Sequence, residues 1–135
     1  MPVDLAPPLT PDAVLDHIGP DAHLIVPLAN GEPVALLDAV ERAADRLHGV
    51  RVHQMHALHD RPYLHGAFGD RLRHVSYFLS SVTRPCFRDG TIDLVPNHFS
   101  EMRAILKDRT VDPLVPGYPN RRGPPDRRTR RRAHP

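Results

Sequence analysis

Few residues of this 135-residue chain are of a type that could carry covalent or metal chemistry: three glutamates, ten histidines and one cysteine. A carboxylate works as a nucleophile only where neighbours perturb and orient it. Glu41 falls on the exposed face of a predicted helix, and Glu101 in the first turn of another, where a carboxylate complements the helix dipole. Glu32 is better placed, in the turn Asn30, Gly31, Glu32, Pro33 between a predicted strand and helix, but its sequence neighbours offer no polarising group, so no catalytic residue is assigned. The turn itself presents backbone N–H groups and a positive dipole end, which favour an anion or a polar ligand group. Any β–α connection also uses Gly and Pro here, so the motif is weak by itself. Asn97 and His98 follow the end of another predicted strand, the side of an open α/β sheet on which ligands bind. His98 could donate to a carboxylate or move a proton near neutral pH. Its bland role is a helix-start residue beside the cap Ser100. No metal site is expected: His53 and His56 on one strand point to opposite faces, and His59 and His65 lie in a loop. A lone Cys86 excludes an internal disulfide and a CxxC pair and reads as a packed small hydrophobe. P-loop, GxGxxG, GxSxG and HExxH patterns are absent.

The elements that must position these residues follow from periodicity. Thr10 and Pro11 start a helix reaching Ile18, stopped by Gly19 and Pro20. Ala22 to Leu28 reads as a buried strand ending at Pro27. From Pro33 to Leu47, apolar Val34, Leu37, Val40, Ala44 and Leu47 recur at helical spacing, with Gly49 beyond the end. Val50 to Met55 alternates like a strand, which completes a β-α-β unit and predicts a parallel sheet. Asp60 to Asp70 is a loop by composition, Leu72 to Leu79 a strand, Pro85 to Arg88 a short helix, and Ile92 to Val95 a brief strand. Ser100 caps a helix from Glu101 to Asp108 carrying Met102, Ile105 and Leu106 on one face. Val111 to Val115 would be a further strand with Pro113 inside it. The fold class is α/β: an open, mainly parallel sheet with flanking helices, truncated in mid-progression. Residues 1–10 read as irregular, 11–118 as the domain and 119–135 as a tail.

Several stretches in this order resemble the N-terminal domain of the acetyl-CoA hydrolase/transferase family, which includes acetate, succinate and 4-hydroxybutyrate CoA-transferases. They are PLANGEPVALLDAV (Pro27 to Val40), L-x-G-V-x-V (Leu47 to Val52), VSYF (Val75 to Phe78), Arg84 before a short helix, and G-x-x-D-x-V-P-x-x-F-S-E (Gly90 to Glu101). The resemblance runs from Pro11 to about Val115. It implies a CoA-transferase-like fold of two similar packed halves, with a coenzyme A thioester as substrate and no tightly bound cofactor. It further implies transfer of CoA between an acyl-CoA and a carboxylic acid such as acetate, or hydrolysis of acetyl-CoA. The family's nucleophile is a glutamate that forms a glutamyl-CoA thioester, and it belongs to the second half. On this reading the chain is an N-terminal fragment, inactive alone, and Asn30, Gly31, Glu32, Pro33, Asn97 and His98 contribute to a substrate cleft. A separate C-terminal half or a second copy is the expected partner.

Charge separates the body from the tail. Seventeen of eighteen basic residues are Arg, and from Pro113 onward seven Arg face one Asp, so the net +2 places a basic appendage on an acidic body. The tail is expected to be disordered and read out of frame. The alternative function, from another class, is a small α/β binding module whose basic tail contacts nucleic acid or another polyanion. Nucleic acid is not the preferred partner, since no aromatics interleave the Arg run. No apolar run approaches the roughly 18 residues that cross a bilayer, and no signal peptide is recognisable, so no membrane association and a cytoplasmic location are expected.

Overall fold

The computed structural model describes residues 10–107 together with 112–113. The expected tail over 119–135, most of the irregular 1–10 segment, and Asp108 lie outside the described residues.

Thr10 starts helix α1 (Pro11–Val14) by accepting the Ala13 N–H at 3.3 Å, with Pro11 at the first helical position, where its missing N–H costs nothing. A tighter turn, Leu15–His17, continues it. Strands β1 (His23–Val26), β2 (Val50–Gln54), β3 (Leu72–Ser76), β4 (Asp93–Leu94) and β5 (Asp112–Pro113) form one sheet in the order β4-β3-β2-β1-β5. Every pairing is parallel, as the β-α-β reading predicts. Pro113 pairs opposite Ile25 at the sheet edge, where a residue without an N–H is tolerated.

Parallel strands need crossovers, and α2 (Val34–Arg42) supplies the first. It is shorter than the predicted Pro33–Leu47 helix. At Ala43 the backbone leaves the helical region (φ −96°, ψ 12°) and the 3-10 turn Ala44–Arg46 takes over, keeping Ala44 and Leu47 buried. The apolar spacing therefore runs on while the α-helix stops. The crossover from β2 to β3 is a loop, as its composition predicts, but a buried one. Residues 60–70 contain two 3-10 turns, Pro62–His65 and Gly69–Arg71, and bury Tyr63 and Leu64 completely in the core. Helix α3 (Thr83–Arg88) begins two residues before Pro85, because Ser80 and Thr83 exchange hydrogen bonds through their hydroxyls and backbone N–H groups. Helix α4 (Met102–Lys107) follows the turn Phe99–Glu101, and Met102, Ile105 and Leu106 are its half-buried residues.

One sheet face carries Leu24, Val26, Val50, Val52 and Leu72 beneath Leu37, Ala39 and Val40 of α2, and these residues form the core. The same face ends toward the C-terminal edge in buried Gln54, His74 and Ser76. The other face is mixed: Arg51 and Arg73 are half-buried, whereas His53 and Val75, the next pair along the strands, are buried. Among the described residues no helix is long and apolar enough to cross a membrane.

Candidate functional site

Strand order locates the site before any side chain does. β2, β3 and β4 are laid down on one side of β1 and β5 on the other, so the order reverses between β1 and β5; crevices at the carboxyl ends beside such a reversal are where open α/β sheets bind ligands. The segment leaving β1 there is Pro27 to Pro33, which holds the predicted Asn30, Gly31, Glu32 and Pro33. Residues Ala29–Gly31 form a 3-10 turn. Ala29 is left-handed (φ 52°), a conformation that costs a non-glycine residue about 1–2 kcal/mol. It is held by its N–H donating to the His56 carbonyl at 2.8 Å, while Gln54 Nε2 donates to the Pro27 carbonyl at 3.0 Å. Gly31 is needed for close approach: a Cβ there would lie 3.2 Å from Pro27 Cβ.

Within this turn Asn30 is exposed, Gly31 and Pro33 are half-buried, and the Glu32 side chain is turned inward, 1% exposed. Glu32 is far from isolated. It accepts from Gln54 Nε2 at 3.1 Å and Arg61 Nε at 3.4 Å, and lies 3.0 Å from His59 Nδ1. Arg61, itself buried, also donates to Asp38 at 2.8 Å and Glu41 at 3.0 Å. Burial opposes the Arg61 charge, but its hydrogen bonds to Asp38 and Glu41 and the nearby Glu32 outweigh this and raise its pKa. Glu41 was expected on an exposed helix face; instead its side chain is 10% exposed and also accepts the Tyr63 N–H, because the 60–70 segment folds over α2. Burial, reinforced by Glu32, drives the Tyr63 phenol upward, so it stays neutral. This cluster is an electrostatic lock between α2, β2 and the β2–β3 crossover.

The second predicted pair is split. Asn97 is half-buried and donates through Nδ2 to the Tyr77 and Val95 carbonyls at 3.1 and 2.8 Å, pinning the segment after β4 to the end of β3. His98 is exposed and takes the capping position expected of Ser100: its N–H donates to the Glu101 carboxylate at 2.8 Å. Ser100 lies inside the turn that follows.

Asn97 opens into a cavity of about 180 Å³ that it lines with Met55, His56, Tyr77, Phe78 and Phe99. His56 and Phe78 rings stand 5.2 Å apart at 46°. These lining residues follow β2, β3 and β4 by one to five positions, and that common offset is the signal by which sequence could have found them. The turn after β1 touches this group through the Ala29–His56 hydrogen bond, whereas Glu32 belongs to the lock.

The four histidines His53, His56, His59 and His65 take separate partners. His53, on β2, bonds His23 Nδ1 through Nε2 and the Tyr77 hydroxyl through Nδ1, both at 2.8 Å, while His56 lies past the strand end in the pocket. Among the described residues no three His, Cys, Asp or Glu side chains are grouped to hold a metal ion. His74 is buried in the opposite face beside Tyr63; burial, with His53 nearby, lowers its pKa to about 4. Cys86 is buried as expected, and desolvation raises its thiol pKa, away from nucleophilic reactivity.

Residues 9–112 match the acetyl-CoA hydrolase/transferase N-terminal domain. Succinyl-CoA:cyclohexane-1-carboxylate CoA transferase of Geobacter metallireducens is 31% identical over 85 residues, 63% of this chain and 19% of that protein. The 4-hydroxybutyrate coenzyme A transferase of Clostridium kluyveri is 25% identical over 103 residues, 76% of this chain and 24% of that protein. The crystal structure of RipA from Yersinia pestis superposes with a TM-score of 0.65 at 25% identity, covering 74% of this chain and 26% of RipA. A mutant RipA structure gives 0.66 at 26% identity, covering 74% and 25%. The chain thus spans about a fifth to a quarter of the length of these relatives.

Proposed function

The chain belongs to the acetyl-CoA hydrolase/transferase family, and from that premise we propose that it forms one wall of a cleft in which CoA passes between an acyl-CoA and a small carboxylic acid such as acetate, or in which acetyl-CoA is hydrolysed. The observation that carries this reading is the family match over 9–112, which spans every strand and loop of the C-terminal rim up to Asp112. Asn30, Gly31, Glu32, Pro33, Asn97 and His98 are the chain's share of the cleft: the first four by the main chain of the turn at the strand-order reversal, with the Glu32 carboxylate as its anchor. CoA thioester enters as substrate, not as a tightly held cofactor, and the protein works in the cytoplasm.

The nucleophilic carboxylate comes from a C-terminal half rather than from a second copy, which would bring only the same three glutamates. All three glutamates of this chain are engaged: Glu32 and Glu41 with Arg61, and Glu101 with the His98 N–H. The 135-residue chain alone is therefore inactive. Release of CoA thiol from acetyl-CoA, with and without acetate, tests this directly. No turnover above the uncatalysed rate, together with calorimetric binding of CoA, is expected. Turnover by the chain alone would refute its dependence on a partner, and failure to bind CoA at millimolar concentration would refute the cleft.

A further inference from the structure

The cavity after β2, β3 and β4 has a chemistry that narrows the acid it accepts. Its floor is Tyr77, buried at 6% exposure, and the half-buried Met55; its outer walls are Phe78 and Phe99, 58% and 78% exposed. Its polar atoms are mostly spoken for. The Tyr77 hydroxyl is bonded to His53, and the Asn97 amide nitrogen to two backbone carbonyls. The His56 ring is thus the lining group able to donate to a carboxylate, and its place is fixed from two sides: the ring lies against Phe78, and its carbonyl accepts from Ala29. None of the six lining residues is Lys or Arg. A cavity of about 180 Å³ also exceeds what a two-carbon acid fills; an apolar cavity of roughly 150 Å³ holds a benzene ring.

We propose that this pocket is the acyl subsite, and that it takes a monocarboxylate with an apolar chain or ring of about four to seven carbons, its carboxylate at His56, while rejecting dicarboxylates. The inference rests on the CoA-transferase reading above and replaces acetate with a longer acid. Hydrocarbon burial against Met55, Phe78 and Phe99 supplies the preference for length. Rejection follows from the other end: a second carboxylate would lose water against the aromatic rings, and none of the six lining residues is a Lys or Arg to pair it.

The test uses the full 135-residue chain with ¹³C on the methyl groups of its three methionines, one of which, Met55, lines the pocket, while Met102 does not. Cyclohexanecarboxylate and hexanoate should shift the Met55 methyl resonance saturably in the millimolar range and leave Met102 unmoved. Succinate should require at least tenfold more. His56→Ala should weaken hexanoate about tenfold, and Phe78→Ala, a change at an exposed ring, should weaken cyclohexanecarboxylate by a similar factor with the melting temperature preserved. Equal response to succinate, or a stationary Met55 signal in a chain that binds CoA by calorimetry, overturns the acyl-subsite assignment and leaves the family reading standing. Failure to bind both CoA and every carboxylate overturns the two together.

Discussion

The C-terminal rim of the sheet is built in two ways. On the side of β1, the turn and the crossover are closed over a buried ion cluster, with Arg61 bonded to Glu32, Asp38 and Glu41. On the side of β3 and β4, the rim is open and aromatic, with Phe78 and Phe99 standing out beside Asn97. The difference teaches where rigidity and where adaptability reside. Charges taken out of water are held only by good geometry, so the first region has one arrangement. Exposed rings make no such demand, and the second region can meet ligands of different shape.

The largest effect should come from breaking the closed region. Arg61→Ala leaves Glu32 buried without its cation and should cost about 3–5 kcal/mol in urea unfolding. Removing charge from Arg61 and its two buried carboxylates together, Arg61→Met with Glu32→Gln and Glu41→Gln, should cost less than the single change; an equal or greater loss would show that shape rather than charge holds the region. Next, Leu37→Ala, in the wholly buried face of α2 beneath the lock, should cost about 2–5 kcal/mol. A smaller loss would mean the lock stands without its apolar floor.

Acidification sharpens the same contrast. The His74 pKa is lowered to about 4 in the folded chain from an ordinary 6.5, so the native state binds fewer protons than the unfolded state between those values. Stability from this group is complete above about pH 6.5 and is lost as pH falls toward 4, amounting to about 2 kcal/mol between pH 6.5 and 5. Urea titrations of His74→Gln should show a flatter slope in that window; an unchanged slope would assign the acid sensitivity elsewhere. Smaller still, Arg73→Ala removes an ion pair with Asp93 on the partly exposed sheet face and should cost less than about 1 kcal/mol, fading in high salt. Smallest is Phe99→Ser on the open rim, expected within about 0.5 kcal/mol of the parent; a marked loss would show that this region is packed rather than free.

The same two regions explain what could be read in advance. Parallel order, Thr10 at its cap and the turn after β1 follow from local spacing, and they match the structure. The 60–70 segment is a loop with two 3-10 turns, as its Gly and Pro content implies, but composition marks only backbone breaks, whereas the burial of Tyr63 and Arg61 depends on contacts more than twenty residues away, with Glu41 and Asp38. Glu41 was read as exposed for the same reason: helical phase alone puts it outward, and a segment not yet placed covers it. Asn97 is legible as a rim residue because it follows a strand, and it lines the pocket there. Met55, His56, Tyr77 and Phe78 were passed over because aromatic and thioether side chains at strand ends look like core.

The outer strands of the sheet have a consequence for how the protein meets other chains. β4 is two residues long, and β5, equally short, includes a proline that offers no N–H. Among the described residues, neither flank gives an incoming strand more than two residues of ladder to extend, which disfavours ribbon-like growth there.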